Sequence, residues 1–202
     1  MILMLNCSYK GKAGNTQYYL ELLKTELGET TAEIRNINQV MKDGLDVLEE
    51  ALDEAEAFVI GAPLYVDGLP AQMVKIMEEL LEKDQDRYCG KPVYVISNLG
   101  FYEGKQICHL MDIVRNWCGR LGMTYGGGIA VGAGPLVHAL KKMPLKKGPN
   151  REIGLGLERL GKAVKEGTCI ENLYAQTKIP RIIYLKAAHS LVRKTMKENG
   201  CN

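Results

Sequence analysis

Short apolar runs alternate along this chain with longer segments of helical period, and that alternation limits the fold more than any single motif. Residues 2–5, 57–61 and 92–96 are apolar or nearly so at consecutive positions, and each run opens into a polar or glycine-containing loop. A strand apolar on both sides must be covered on both faces, the condition of a parallel sheet between helical layers. Between the runs, Thr16, Tyr19, Leu20, Leu23 and Leu27 recur at i, i+3, i+4, i+7 and i+11, and Gly28 closes that helix. Residues 32–37 form a weaker second strand and residues 45–52 a short helix. Met73, Ile76, Met77, Leu80 and Leu81 stripe the next helix. Ile107, Leu110, Met111, Val114, Cys118 and Leu121 stripe the one after, which stops at Gly122. The glycine-rich residues 124–134 contain a fifth strand.

The remainder is expected to be helical. Residues 141–150 (KKMPLKKGPN) read as an exposed basic loop. Ile153, Leu157, Leu160 and Val164 mark a helix ending near Gly167, and Pro180 opens a last helix running to about Lys197. A chain of 202 residues is expected to form one domain, with a core over residues 1–134 and a helical extension over 135–202. The last helix sets Arg181, Lys186, His189, Arg193, Lys194 and Lys197 beside Ile182, Ile183, Leu185, Leu191, Val192 and Met196. Such a helix can lie on an anionic membrane, shape a site or a dimer contact, or pack with one solvated face. The packed helix is the expectation taken forward.

Composition removes several classes of function. With 26 basic and 24 acidic residues the net charge is +2, too small for the dense basic face that nucleic acid requires. The ten Tyr are scattered rather than interleaved with Lys and Arg as on a base-stacking platform. Cysteines 7, 89, 108, 118, 169 and 201 include no C-x-x-C pair, so they are expected to be reduced, mostly buried thiols of a cytoplasmic protein. His109, His138 and His189 lack metal-ligand spacing. The first residues carry no basic leader, and no apolar run approaches the roughly 18 residues of a membrane span. Residues 156–162 imitate the start of a P-loop, but Ala163 stands where Ser or Thr should meet magnesium. Residues 126–134 (GGGIAVGAG) fit no dinucleotide fingerprint, and no G-x-S-x-G elbow is present.

Ligands of open α/β sheets bind outside the carboxyl ends of the strands, so the loops after strands one, three and four are where chemistry is expected. The first, Ser8 to Thr16, runs from a strand into a helix, whose free N–H groups and positive dipole end suit a phosphate. Ser8, Asn15 and Thr16 add neutral donors and Lys10 adds charge. The second contains Pro63-Leu64-Tyr65-Val66, then Gly68, Pro70 and Lys75; the third is Ser97 to Gly104.

On these loops the chain resembles the NAD(P)H-dependent FMN reductase family, with Lys10 standing where the family often has Arg. The resemblance spans about residues 1–132. It implies a flavodoxin-like three-layer sandwich whose five-stranded parallel sheet has the order 2-1-3-4-5. It also implies FMN as cofactor, held by Ser8, Lys10, Asn15, Thr16 and Gln17 at its phosphate end. Pro63, Leu64, Tyr65 and Val66 would lie against the ring, with Ser97, Asn98, Leu99, Gly100, Phe101 and Tyr102 at its pyrimidine edge. The expected activity carries reducing equivalents from NAD(P)H through the flavin to a small-molecule acceptor such as a flavin or quinone, in a homodimer or larger homo-oligomer. Hydride transfer needs two rings about 3–3.5 Å apart rather than a side-chain acid or base, so no catalytic residue is expected. The rival is an FMN-binding electron carrier without nicotinamide turnover; carriers of the flavodoxin kind are strongly acidic, and this chain is not.

Overall fold

The computed structural model describes residues 1–83 and 85–200. In chain order the elements are β1 (Ile2–Asn6), α1 (Asn15–Leu27), β2 (Ala32–Asn36), α2 (Ile37–Asp43), α3 (Leu45–Glu54), β3 (Ala57–Pro63), α4 (Ala71–Leu81), β4 (Pro92–Asn98), α5 (Cys108–Arg120), β5 (Thr124–Val131), α6 (Val137–Leu140), α7 (Arg151–Glu166), β6 (Leu173–Ala175) and α8 (Arg181–Glu198). Every strand pairing is parallel, and the sheet order is β2-β1-β3-β4-β5-β6. The expected order 2-1-3-4-5 therefore needs a correction: a sixth strand, from the segment taken as helical, adds to the edge beyond β5.

Alternate residues of each central strand feed opposite layers, as the two-residue period of a strand dictates. Leu3, Leu5, Phe58, Ile60, Val93 and Val95 pack with Ile37, Leu48, Leu52, Met73, Ile76, Leu80, Leu110, Val114 and Trp117 of α2 to α5. Ile2, Met4, Val59, Tyr94, Ile96, Ile129 and Val131 pack with Leu20 and Leu23 of α1 and Ile153, Leu157 and Leu160 of α7. Each fully buried aliphatic side chain here contributes about 1.5–3 kcal/mol. The steps from β4 to β5 and from β5 to β6 run the same way across the sheet, yet α5 lies in the first layer and α7 in the second. The last crossover is therefore of the opposite hand to the one before it, an arrangement that parallel sheets rarely adopt.

The triple glycine of β5 is close-packed. Tyr94 is buried, and its hydroxyl lies 2.9 Å from the carbonyl oxygens of both Ala163 and Thr168, joining β4 to the end of α7. Burial and the neighbouring Cys169 push its phenol up to about 12. Opposite it the register slips: Val93 faces Tyr125 and Tyr94 faces Gly127, so Gly126 is the extra residue of a bulge.

Two other expectations are revised. Cys7 and Cys118 are buried and Cys108 is half-buried, but Cys89 and Cys169 are exposed, while Cys201 lies outside the described residues. In α8 only Tyr184 is buried, against Ala133, Leu136 and Leu140, so the packed helix holds at one turn alone. His109 and His189 are exposed, and the side chain of His138 is outside what is described.

A Cβ on Gly126 would lie 2.3 Å from the Tyr94 ring, which two carbonyls hold in place. Gly126→Ala is expected to lower stability by about 1–3 kcal/mol, seen as a lower urea midpoint with an unchanged slope. Gly119, within α5, has open space around its Cβ direction, and Gly119→Ala should leave stability unchanged or raise it by up to about 1 kcal/mol.

Candidate functional site

The loops leaving β1, β3, β4 and β5 enclose a cavity of about 340 Å³. That is within the roughly 300–1,000 Å³ of small-molecule sites. Its floor is the loop between β1 and α1. Asn6, buried at the end of β1, organises that loop. Its side-chain amide donates to the Gly11 carbonyl at 3.1 Å and to Gln17 Oε1 at 2.8 Å, and its Oδ1 accepts from the Ser8 N–H at 3.0 Å. The chain reverses at Gly11, whose φ of +53° favours glycine. Gly14, in extended conformation, precedes α1, and among the described residues no side chain caps this helix and no acidic residue occupies its first turn. The first-turn N–H groups have no partner within the helix, so a positive dipole end and free donors face the cavity.

One wall comes from the loop after β3. Tyr65 and Gly68 exchange backbone hydrogen bonds of 3.1 and 3.0 Å around Val66 and Asp67, which have φ of +47° and +60°. Two positive φ values at the centre of a two-residue turn are the geometry usually met by Asn-Gly. A β-branched residue held there costs about 1–3 kcal/mol, and such strain concentrates at functional loops. The turn presents Tyr65 beside Tyr9, ring centroids 5.8 Å apart. Partial burial raises the Tyr65 phenol above its ordinary value, a hydrogen bond with Ser8 works against that, and Tyr9 adds to the rise.

The opposite wall is made by two loops laced to each other. Leu99 N–H donates to Val131 O, Ala133 N–H to Phe101 O, and Gly134 N–H to Leu99 O. Side chains tie these loops to α1: Asn15 Nδ2 donates to Gly134 O at 3.1 Å and Asn98 Nδ2 to Thr16 Oγ1 at 2.9 Å, the latter pair buried. Thr16 thus uses its oxygen as an acceptor and keeps its hydroxyl hydrogen to give.

Of the residues expected at a site, Ser8, Lys10, Asn15, Thr16, Pro63, Leu64, Tyr65, Asn98, Leu99 and Gly100 line one cavity. Five do not line it. Gln17 is occupied with Asn6 and Glu21. Val66 is fully exposed at the turn tip. Ser97 is buried in β4, its hydroxyl without a partner among the described residues. Phe101 is exposed, and Tyr102 turns away to give its hydroxyl to Ile179 O at 2.6 Å. Gly14, whose lack of a side chain lets the first loop fold around an anion, lines the cavity as well, and Ala13, Gly134, Pro135 and Leu191 line it without having been expected there. Asn6 signals its role as the polar residue that ends an apolar strand, whereas Leu191 belongs to α8 and no local pattern points from it to the loops. Among the described residues no helix is long and apolar enough to cross a membrane, and no cluster of metal-ligating side chains occurs.

A family model described as NADPH-dependent FMN reductase matches residues 1–135. Among solved structures, the Trp repressor binding protein from Bacillus subtilis superposes with a TM-score of 0.55 at 16% identity, covering 65% of this chain and 84% of that one. The azoreductase from Bacillus anthracis str. Sterne gives 0.56 at 16% identity, with 82% of this chain and 98% of that one. Two-electron reduced Megasphaera elsdenii flavodoxin gives 0.54 at 16% identity, with 82% and 99%. At such identity the likeness is one of fold, and the fold is flavodoxin-like. No curated protein sequence matches the chain.

Asn6→Ala removes three hydrogen bonds that close the first loop. Stability is expected to fall by about 1–3 kcal/mol. Trypsin should then cut faster after Lys10 or Lys12 than in the parent, as read by timed digestion and mass spectrometry.

Proposed function

Because the chain belongs to the NADPH-dependent FMN reductase family, we propose that its cavity holds FMN and that it passes reducing equivalents from NAD(P)H to a small-molecule acceptor, a free flavin or a quinone. The observation that carries this reading is the uncapped start of α1 on the cavity floor. A phosphate there meets the first-turn N–H groups of α1, the Thr16 hydroxyl hydrogen, Ser8 and the charge of Lys10. A Cβ at residue 14 would come within 2.8 Å of Ser8 Oγ, so glycine keeps this cradle open. When bound, the flavin supplies a ring that accepts a hydride and releases electrons again.

The chain's own part is binding, orientation and exclusion of water. Pro63, Leu64 and Tyr65 offer a flat apolar wall, with Leu99, Pro135 and Leu191 facing the same cavity. The N–H of Leu99 is committed to Val131 O, so the donors offered to a ring edge start at Gly100. The hydrogen bonds from Asn98 to Thr16 and from Asn15 to Gly134 keep the phosphate end and the ring end in register. That preorganisation lowers the ordering cost of binding.

Titration with FMN, followed by quenching of flavin fluorescence, should show one site per chain. Thr16→Val combined with Asn15→Ala should weaken it by about 1–3 kcal/mol, through the loss of the Thr16 hydroxyl donor to the phosphate and of the Asn15–Gly134 tie that holds the ring end in register, at about 0.5–1.5 each. Equal affinity of parent and double variant would remove the first loop from the site. With FMN and a quinone present, steady oxidation of NADPH supports the reductase; FMN binding without turnover of either nicotinamide supports the electron carrier.

A further inference from the structure

Most of α8 stands clear of the body of the protein. Of its 18 residues only Tyr184 is buried, with Ala187 and Ala188 partly covered on the same side. Ile182, Leu185, Val192 and Met196 are 68%, 42%, 56% and 43% exposed. Together with the exposed His189 they are spaced by three, four, three and four residues, so they form one stripe along the helix. The neighbouring strip carries Lys186, Arg193, Lys194 and Lys197, all exposed. Glu198 is the single acidic residue of the helix, 3.8 Å from Lys194. Leu140 of α6 packs on Tyr184, and the chain leaving α6 continues the theme with exposed Lys141, Lys142, Met143 and Lys147. Residues 135–151 contain no Asp or Glu.

We propose that α8 docks on an anionic lipid surface, its apolar stripe entering the headgroup boundary and its cations meeting lipid phosphates. Charge complementarity decides among the possible occupants. A second copy of α8 packed stripe to stripe and antiparallel would bring two strips of Lys186, Arg193 and Lys197 beside one seam, an arrangement that like charges oppose. A layer of anionic headgroups satisfies every cation without matched positions, because Lys and Arg stems lie along apolar surface while their charges reach water. The helix is also joined to the site: Leu191 lines the cavity, so a docked α8 brings the cavity mouth beside the bilayer. The docking itself does not depend on what the cavity holds.

The test is co-sedimentation of the full chain with vesicles of phosphatidylcholine alone and of equal parts phosphatidylcholine and phosphatidylglycerol. The parent should pellet with the anionic vesicles only, and less as salt rises. Ile182→Glu with Val192→Glu, and separately Arg193→Glu with Lys197→Glu, should each weaken that binding at least about tenfold. FMN affinity, read in the same samples, should be unchanged, so a failure of lipid docking and a failure of the flavin reading are seen separately. No pelleting with anionic vesicles, or variants that pellet like the parent, overturns the proposal. So does a dimer in sedimentation velocity that Ile182→Glu with Val192→Glu dissolves while vesicles are ignored, since the stripe then belongs to a second copy.

Discussion

A parallel sheet covered on both faces leaves its strands only one way to meet solvent: through the loops at their ends. Here the central strands are buried at nearly every position, and neighbouring residues on a strand serve different helical layers. Such a sheet is a rigid, water-free platform, and the loops at its carboxyl edge inherit fixed take-off points. Hydrogen bonds then do locally what burial does globally. Asn6 folds the first loop, Asn98 and Asn15 bind that loop to its neighbours, and the backbones after β4 and β5 grip each other. Three asparagines with complementary amide groups thus convert loose connections into a shaped cavity.

Much of this order is written in residue spacing. The starts of β1, β3 and β4 and the stripes of α1, α4, α5 and α7 follow from period alone, because long burial against a sheet demands uninterrupted patterns. The short elements escape that logic. Ile37, assigned to the second strand by its apolar character, opens α2 instead, since Asn36 caps the helix by accepting the Asn38 N–H. β6 is three residues long, and the connection that delivers it crosses on the unusual face, so neither length nor topology announces it.

The site was legible to the same degree. Loop residues that touch the cavity through their own position, such as Ser8, Thr16, Pro63 and Tyr65, follow from their place after a strand. Gln17 and Tyr102 have the right chemistry and the right address, but each is engaged by a partner that only the folded chain supplies: Asn6 for one, the Ile179 carbonyl for the other. Leu191 reaches the cavity from the far end of the chain, a contact that depends wholly on where α8 comes to rest.

Two tyrosine hydroxyls fasten that helix and the segment before it. Tyr184 bonds the Gly100 carbonyl, Tyr102 bonds the Ile179 carbonyl, and the two rings lie 5.3 Å apart. One anchor runs from the tail to the cavity rim and the other from the rim's loop to the tail. A force on the tail is therefore transmitted to the rim through a clasp of two aromatic rings, and truncation before residue 179 would unfasten the far shore of the cavity along with the tail.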